Sequence, residues 1–352
     1  MRKISLILLC LVMASTLVGF GLFDNPFEEE EEEKEEPEKK EPEKTAEEYE
    51  KELWKLRRKF ADKEHDSVEG KNYKQKLKWD DITRIYYVHI PPGYDPDVPV
   101  PLVINFHGED SFAKEAEWKT EMLYVSNEEG FIAVHPEATG EKFQQWNGGL
   151  HTEGMDVDDV GFVGAMLDEI EEDFNVDTDR VYATGFSSGG FMAYRLACEM
   201  SDRIAAIAPV AAVHDIDCEP MRPVPIMHFH GTKDAYVPYK GGVGALQGYD
   251  FNSVADTMNF WLVFNKCAAV PEITYQLDDV TCYLYESEVG ADVVLCIIEG
   301  GGHVWPGGGW SAGEYTYYGW NTDAINAADA MWEFFEDASR AVRPHSRIQL
   351  PG

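Results

Sequence analysis

The stretch VYATGFSSGG (residues 181–190) holds an apolar run that breaks into a Gly-x-Ser-x-Gly turn, with Gly185, Ser187 and Gly189 at its key positions. Val181 to Gly185 reads as a strand buried on both faces, and the residues from about Phe191 to Met200 read as a helix. A strand that passes through so tight a turn into a helix lifts the serine above the edge of a sheet. The two flanking glycines relieve crowding there, and Gly190 lets the helix start close to the strand. Ser187 is therefore a candidate nucleophile. A hydroxyl is weakly nucleophilic by itself, so the reading needs a base and an orienting group elsewhere in the chain.

Other segments repeat the strand pattern. TRIYYVHI (83–90) alternates and is rich in β-branched and aromatic residues. PLVINFHG (101–108), FIAVHP (131–136), AAIAPVAA (205–212), PIMHFHG (225–231) and VVLCII (293–298) are short apolar runs, as expected of strands covered on both faces. Val163, Met166, Leu167, Ile170 and Phe174 recur at helical spacing, and INAADAMWEFFEDA (325–338) is amphipathic. Strands alternating with helices predict an α/β fold with a mostly parallel central sheet and helices on both faces. Ligands of such sheets bind beyond the carboxyl ends of the strands.

Two loops at such ends supply the missing groups. HFHGTKDAYVP (228–238) puts Asp234 just past one buried strand, and GGGHVWPGG (300–308) puts His303 past the last. The chain order Ser187, Asp234, His303 is that of α/β-hydrolases. His303 would take the serine proton and return it to the leaving alcohol, and Asp234 would fix the imidazole tautomer. Taken singly, Asp234 could be a turn cap and His303 an ordinary loop histidine; their coincidence with Ser187 favours catalysis. The oxyanion donors would be the backbone N–H of Ser188 and one from HGEDS (107–111), at Glu109 or Asp110, whose side chains are expected to face solvent. His107, His228 and His230 end buried strands, and without an H-E-x-x-H pattern they do not suggest a metal. Trp146, Trp305 and Trp310, with Tyr315, Tyr317, Tyr318 and Trp320, serve equally well as core or as a flat platform for a substrate.

The ends of the chain read differently. Arg2 and Lys3 precede an apolar run from Ile4 to Phe23, the pattern of an export signal or membrane anchor over residues 1–23, with the remainder facing outward. Residues 24–71 comprise an acidic low-complexity linker and a short charged helix that is expected to fray. Residues 72–340 form the expected catalytic domain and 341–352 a tail. The net charge is −35, and residues 79–352 alone hold 45 acidic against 14 basic residues. Nucleic acid and anionic membrane surfaces are poor partners for such a surface, whereas high salt would suit it. Five of the six cysteines lie beyond the apolar leader, so an exported chain leaves one thiol unpaired.

The chain resembles the secreted α/β-hydrolase esterases that include polyhydroxybutyrate depolymerases and feruloyl and acetylxylan esterases. The likeness runs from about Tyr73 to Ala338 through TRIYYVHIPPGYDP (83–96), PLVINFHG (101–108), QWN (145–147), VDDVGF (157–162), VYATGFSSGGFMAYRLAC (181–198), PVPIMHFHGTKDAYVPY (223–239) and IEGGGHVWPGG (298–308). It implies a Ser187–Asp234–His303 triad, no cofactor, and hydrolysis of carboxylic esters through an acyl-enzyme. It also implies disulfides Cys198–Cys218 and Cys267–Cys282, leaving Cys296 as a buried thiol. The charged Glu109-Asp110 pair departs from the small or uncharged residues usual in the family after its His-Gly. Expected substrates are feruloyl or acetyl esters of plant polysaccharide. The alternatives are a short-chain polyester depolymerase or, in another class, a non-catalytic surface-binding module on the same fold.

Overall fold

The computed structural model describes residues 46–65, 68–140, 144–149, 152, 155–245 and 248–338. Residues 1–23, most of the acidic linker and the 341–352 tail lie outside that set. The chain divides into two units, Met1–Tyr49 and Glu50–Gly352, and every contact given below lies within the second.

Strands β1 (Lys71–Trp79), β2 (Ile82–Ile90), β3 (Val100–Phe106), β4 (Ile132–Pro136), β5 (Val176–Phe186), β6 (Ala206–Val210), β7 (Ile226–Gly231), β10 (Glu272–Leu277), β11 (Val280–Tyr285) and β12 (Val293–Ile298) form one sheet. Their spatial order is β1-β2-β4-β3-β5-β6-β7-β12-β11-β10. From β4 to β12 the neighbours are parallel, and the outer strands pair antiparallel. Two short hairpins, β8 (Gly242–Val243) with β9 (Asp250–Phe251) and β13 (Glu314–Thr316) with β14 (Gly319–Asn321), lie apart from it.

Alternation along the strands divides the core. Leu102, Ile104, Val134, Ala183 and Ile207 face helices α4 (Asp159–Asp173), α5 (Ser188–Glu199) and α6 (Val254–Phe264). Val103, Ala133, Tyr182, Ala208 and Phe229 face α3 (Met122–Glu129) and α7 (Ala327–Asp337). Both faces are covered, which is why the central strands are apolar at nearly every position. The fold is the α/β-hydrolase architecture expected from the sequence. The chain goes from β3 outward to β4, then back past β3 to β5. This reversal leaves a crevice at the carboxyl ends of β3 and β5, where such sheets bind their ligands.

The N-terminal segment departs from expectation. A continuous helix, α1 (Ala46–His65), takes the place of a frayed one. It rests on α2 (Ala113–Thr120) through aromatic contacts: Trp54 meets Phe112 with ring centres 5.6 Å apart, and Phe60 meets Trp118 edge-on at 5.4 Å. Ala61 is fully buried there. Packing against a neighbour stabilises a helix whose own charged sequence would not.

Candidate active site

Ser187 stands between β5 and α5 with φ 53° and ψ −119°, a conformation costly for a residue that carries a Cβ. Its surroundings hold it there. The Ser187 N–H donates to the Val210 carbonyl at 2.9 Å, and its own carbonyl accepts from Gly190 and Phe191 at 2.8 and 3.1 Å. The turn needs Gly189 because a Cβ there would come within 2.2 Å of the Phe106 carbonyl oxygen. Gly108, after β3, lies so close that its Cβ would sit 3.5 Å from that of Ser187.

The structure brings the three distant residues together. His303 Nε2 lies 2.9 Å from Ser187 Oγ, and His303 Nδ1 lies 2.7 Å from Asp234 Oδ2. Asp234 Oδ1 accepts from the backbone N–H groups of Tyr236 and Val237 at 2.8 and 2.9 Å. Burial opposes ionisation of Asp234, but the charge and hydrogen bond of His303, with His230 and the Val237 N–H, outweigh it and hold the carboxyl below its ordinary value. His303 is anchored through its N–H to the Tyr318 carbonyl at 2.8 Å, so the β13–β14 hairpin sets the height of the imidazole. Because Nδ1 faces a carboxylate, it carries the proton, which leaves Nε2 free to accept one from Ser187.

Asp110 does not fit the expected oxyanion role. Its N–H donates to the Gln144 carbonyl at 3.1 Å, because the chain turns there with φ 54° and points the amide at the neighbouring loop. Ser188 opens α5, where an N–H has no intrahelical acceptor. Of the HGEDS loop, Glu109 remains the candidate partner to Ser188.

Two of the three tryptophans expected as a substrate platform, Trp146 and Trp305, are core. Trp146 is completely buried. It is a wedge between the two loops of the site: its backbone N–H donates to Ser188 Oγ at 3.1 Å and its indole N–H to the His107 carbonyl at 3.0 Å. Trp305 is only 6% exposed and packs with α7 against the sheet. The side chain of Trp310 lies outside the described residues. The aromatics that do surround His303 are Phe186, Tyr236 and Tyr318, with ring centres 4.8, 5.2 and 6.5 Å from the imidazole. Tyr317 stands edge-on to Tyr318 at 5.3 Å and is almost fully exposed. Tyr236 is not legible in the sequence as a site residue; its position two residues after Asp234 is the available signal.

Buried charges support these loops from behind. Asp159 Oδ1 accepts from Arg84 Nη2 at 2.6 Å, and Oδ2 accepts from the Asn147 N–H at 2.8 Å. The VDDVGF motif thereby holds the QWN loop that carries Trp146. His107 donates from Nδ1 to the Gly108 carbonyl and accepts at Nε2 from Ala138 N–H, at 2.7 and 3.0 Å. Burial depresses its pKa to about 4, so it is neutral. His214 lies beside Cys198 and Cys218 in a metal-like cluster, but those two sulfurs are joined in a disulfide and offer no thiolate.

Residues 116–220 match the prolyl oligopeptidase family, a span that includes Ser187. Feruloyl esterase B of Piromyces equi is 36% identical over 227 residues, which are 61% of this chain and 42% of that protein. The chain thus spans less than half of that relative's length. Putative esterase NocK of Nocardia uniformis subsp. tsuyamanensis is 30% identical over 253 residues, covering 64% of this chain and 72% of that one. The chain belongs to this family of α/β-hydrolase esterases. Among solved structures, acetyl xylan esterase from Aspergillus awamori superposes with a TM-score of 0.52 over 67% of this chain and 94% of that one, at 14% identity, a likeness of fold.

One disulfide of the chain differs from the implied set. Cys198 pairs with Cys218 as expected. Cys282 pairs with Cys296, and Cys267 is the unpaired cysteine among the described residues. The cause is register: Cys282 on β11 lies directly opposite Cys296 on β12. Cys267 sits beyond α6, and burial, aided by the charge of Asp292, pushes its thiol up to about 12.

Proposed function

We propose that the protein is an exported serine esterase that hydrolyses feruloyl or acetyl esters of plant polysaccharide through an acyl-enzyme on Ser187. The observation that carries this reading is the unbroken hydrogen-bond path from Ser187 Oγ through both nitrogens of His303 to Asp234. Ser187 Oγ attacks the ester carbonyl carbon as its proton passes to His303 Nε2. The tetrahedral oxyanion accepts from the N–H groups of Ser188 and Glu109. Collapse expels the alcohol, which takes its proton from His303, and leaves an acyl ester on Ser187. Water then attacks that ester with His303 as base, releasing the carboxylic acid and restoring the serine. Asp234 holds the imidazole tautomer throughout and stabilises the transient imidazolium. The named activities of the feruloyl and acetylxylan esterase relatives support the substrate class, and Tyr236 and Tyr318 beside His303 suit a phenolic acyl group or a sugar ring.

The test is labelling by a fluorophosphonate, followed by turnover of methyl ferulate, acetylated xylan and hydroxybutyrate oligomers. Ser187→Ala should remain folded, take no label and lose all three activities. A wild-type protein that folds but takes no label would favour the surface-binding module, and turnover of hydroxybutyrate oligomers alone would favour the polyester depolymerase.

A further inference from the structure

Helix α1 reaches the loop that follows β3. Arg57 Nε donates to Glu115 Oε1 at 2.9 Å, and Nη2 contacts Glu115 Oε2 while also donating to the Asp110 carbonyl at 3.2 Å. Glu115 is buried in α2, where Ser111 Oγ donates to its Oε2 and Lys119 Nζ pairs with its Oε1, both at 2.9 Å. One guanidinium thus grips the loop twice, directly at Asp110 and through Glu115 at Ser111. The gripped segment is strained: Asp110 has φ 54°, a conformation that persists in a non-glycine residue only when its surroundings impose it. The Asp110 N–H bond to Gln144 and the Ser111 N–H bond to the Gly108 carbonyl, at 3.1 and 3.3 Å, complete the turn around Glu109.

We infer that Arg57 is a positioning residue for the oxyanion hole, so that the N-terminal helix is part of the catalytic unit. By holding the Asp110 carbonyl, it fixes the Asp110–Ser111 peptide plane, whose N–H bonds the Gly108 carbonyl at 3.3 Å, and that carbonyl shares its peptide plane with the Glu109 N–H. This inference rests on the reading of Glu109 as an oxyanion donor. A guanidinium suits the task because its planar fork bonds a carbonyl and a carboxylate at once, which an ammonium does not reproduce. Other α1 contacts dock the helix on α2 rather than on the loop: Asp62 with Lys114 Nζ at 2.8 Å, and Phe60 edge-on to Trp118 at 5.4 Å.

The test uses the full chain with Arg57→Ala, Arg57→Lys and, as a docking control, Asp62→Ala. Two readouts are compared: kcat and KM on an aryl ester, and affinity for a trifluoromethyl ketone, which binds serine hydrolases as a tetrahedral oxyanion. Arg57→Ala should lower kcat about 10- to 100-fold with KM little changed, and weaken the ketone by a similar factor. Arg57→Lys should restore only part of both, and Asp62→Ala should leave both intact. Should Arg57→Ala not fold, Arg57→Lys carries the test alone, because it keeps the charge beside Glu115 and loses the fork. A variant at Arg57 that is only less heat-stable, with kcat and ketone affinity of the parent, overturns the inference, as does an equal loss in Asp62→Ala. If the parent itself binds the ketone no better than it binds substrate, it is the oxyanion reading that fails.

Discussion

The Tyr194 hydroxyl lies 2.7 Å from His228 Nδ1, and this contact joins the helix that begins at the nucleophile to the strand that leads to Asp234. The proton positions follow from the far end. His230 Nε2 faces the Val237 carbonyl at 2.8 Å, and a carbonyl only accepts, so Nε2 carries the proton. Burial lowers the pKa of both histidines, which keeps them neutral. His230 Nδ1 therefore accepts from His228 Nε2–H across 3.1 Å, and His228 Nδ1 accepts from Tyr194. Every member of the chain is satisfied in one arrangement.

Removing the tyrosine hydroxyl leaves His228 Nδ1 buried with no donor. Tyr194→Phe should cost about 1–3 kcal/mol of stability, read by urea denaturation. The melting temperature should fall by roughly 2–4 °C per kcal/mol in a domain of this size. Ester turnover well below that temperature should change little. Unaltered stability would mean that the hydroxyl is not the donor.

The second buried assembly carries a larger penalty. Arg84 and Asp159 are both almost completely buried and lie 2.6 Å apart. Asp159→Ala strands the guanidinium, at a cost of about 3–5 kcal/mol. It also removes the acceptor for the Asn147 N–H, so the QWN loop and Trp146 loosen against Ser188. Stability and kcat should fall together, in contrast to Tyr194→Phe. Parallel denaturation and rate measurements on the two variants separate these effects.

Much of the site is legible in the sequence because it lies where short-range signals are strong. The apolar runs ending at Phe106, Gly185 and Gly231 are strands covered on both faces, and each is followed at once by a loop with a chemical group or glycine. Trp146 misleads because an aromatic residue in a polar, glycine-flanked loop looks the same whether it faces substrate or fills the space beneath. Only its complete burial distinguishes the two. β10 escapes a pattern reading because it is the edge strand and buries none of its residues, and β11, paired on both sides, because only its alternate residues are buried. Without β11, the register that sets Cys282 opposite Cys296 stays hidden. The firmness of α1 is equally hard to read, because its anchor, the buried Glu115, is distant in sequence and looks like any helical glutamate.

The disulfide at the sheet edge predicts a stability loss distinct from any effect on catalysis. Cys282 and Cys296 are 14 residues apart and fully buried. A cross-link closing a loop of that length contributes about 3 kcal/mol in the chain-entropy account. The Cys282→Ala/Cys296→Ala double variant should lose about 2–4 kcal/mol while keeping its kcat at low temperature. Peptide mapping without reduction should recover 282 linked to 296. Cys267, with its thiol pushed up to about 12, should alkylate slowly at pH 8 until the protein is unfolded. A peptide linking 267 to 282 would refute the pairing.

Asp234 gives the pH dependence a definite sign. Its carboxyl is held below the ordinary aspartate value despite burial, chiefly through His303, so the folded state favours the ionised form more than the unfolded chain does. A depressed folded pKa contributes stability that is complete above the unfolded value, about 3.9, and is lost as pH falls through the folded one. The stability gap between the parent and Asp234→Asn should therefore shrink as the pH falls below about 4. The same substitution removes the charge that supports the imidazolium and permits the wrong imidazole tautomer, so kcat at pH 7 should drop by about 10⁴, as in other Ser-His-Asp systems. Urea denaturation of both proteins across pH 3 to 7, with initial rates at pH 7, measures both effects. A gap that does not shrink below about pH 4 would mean that the folded protein does not hold the Asp234 carboxyl below its ordinary value.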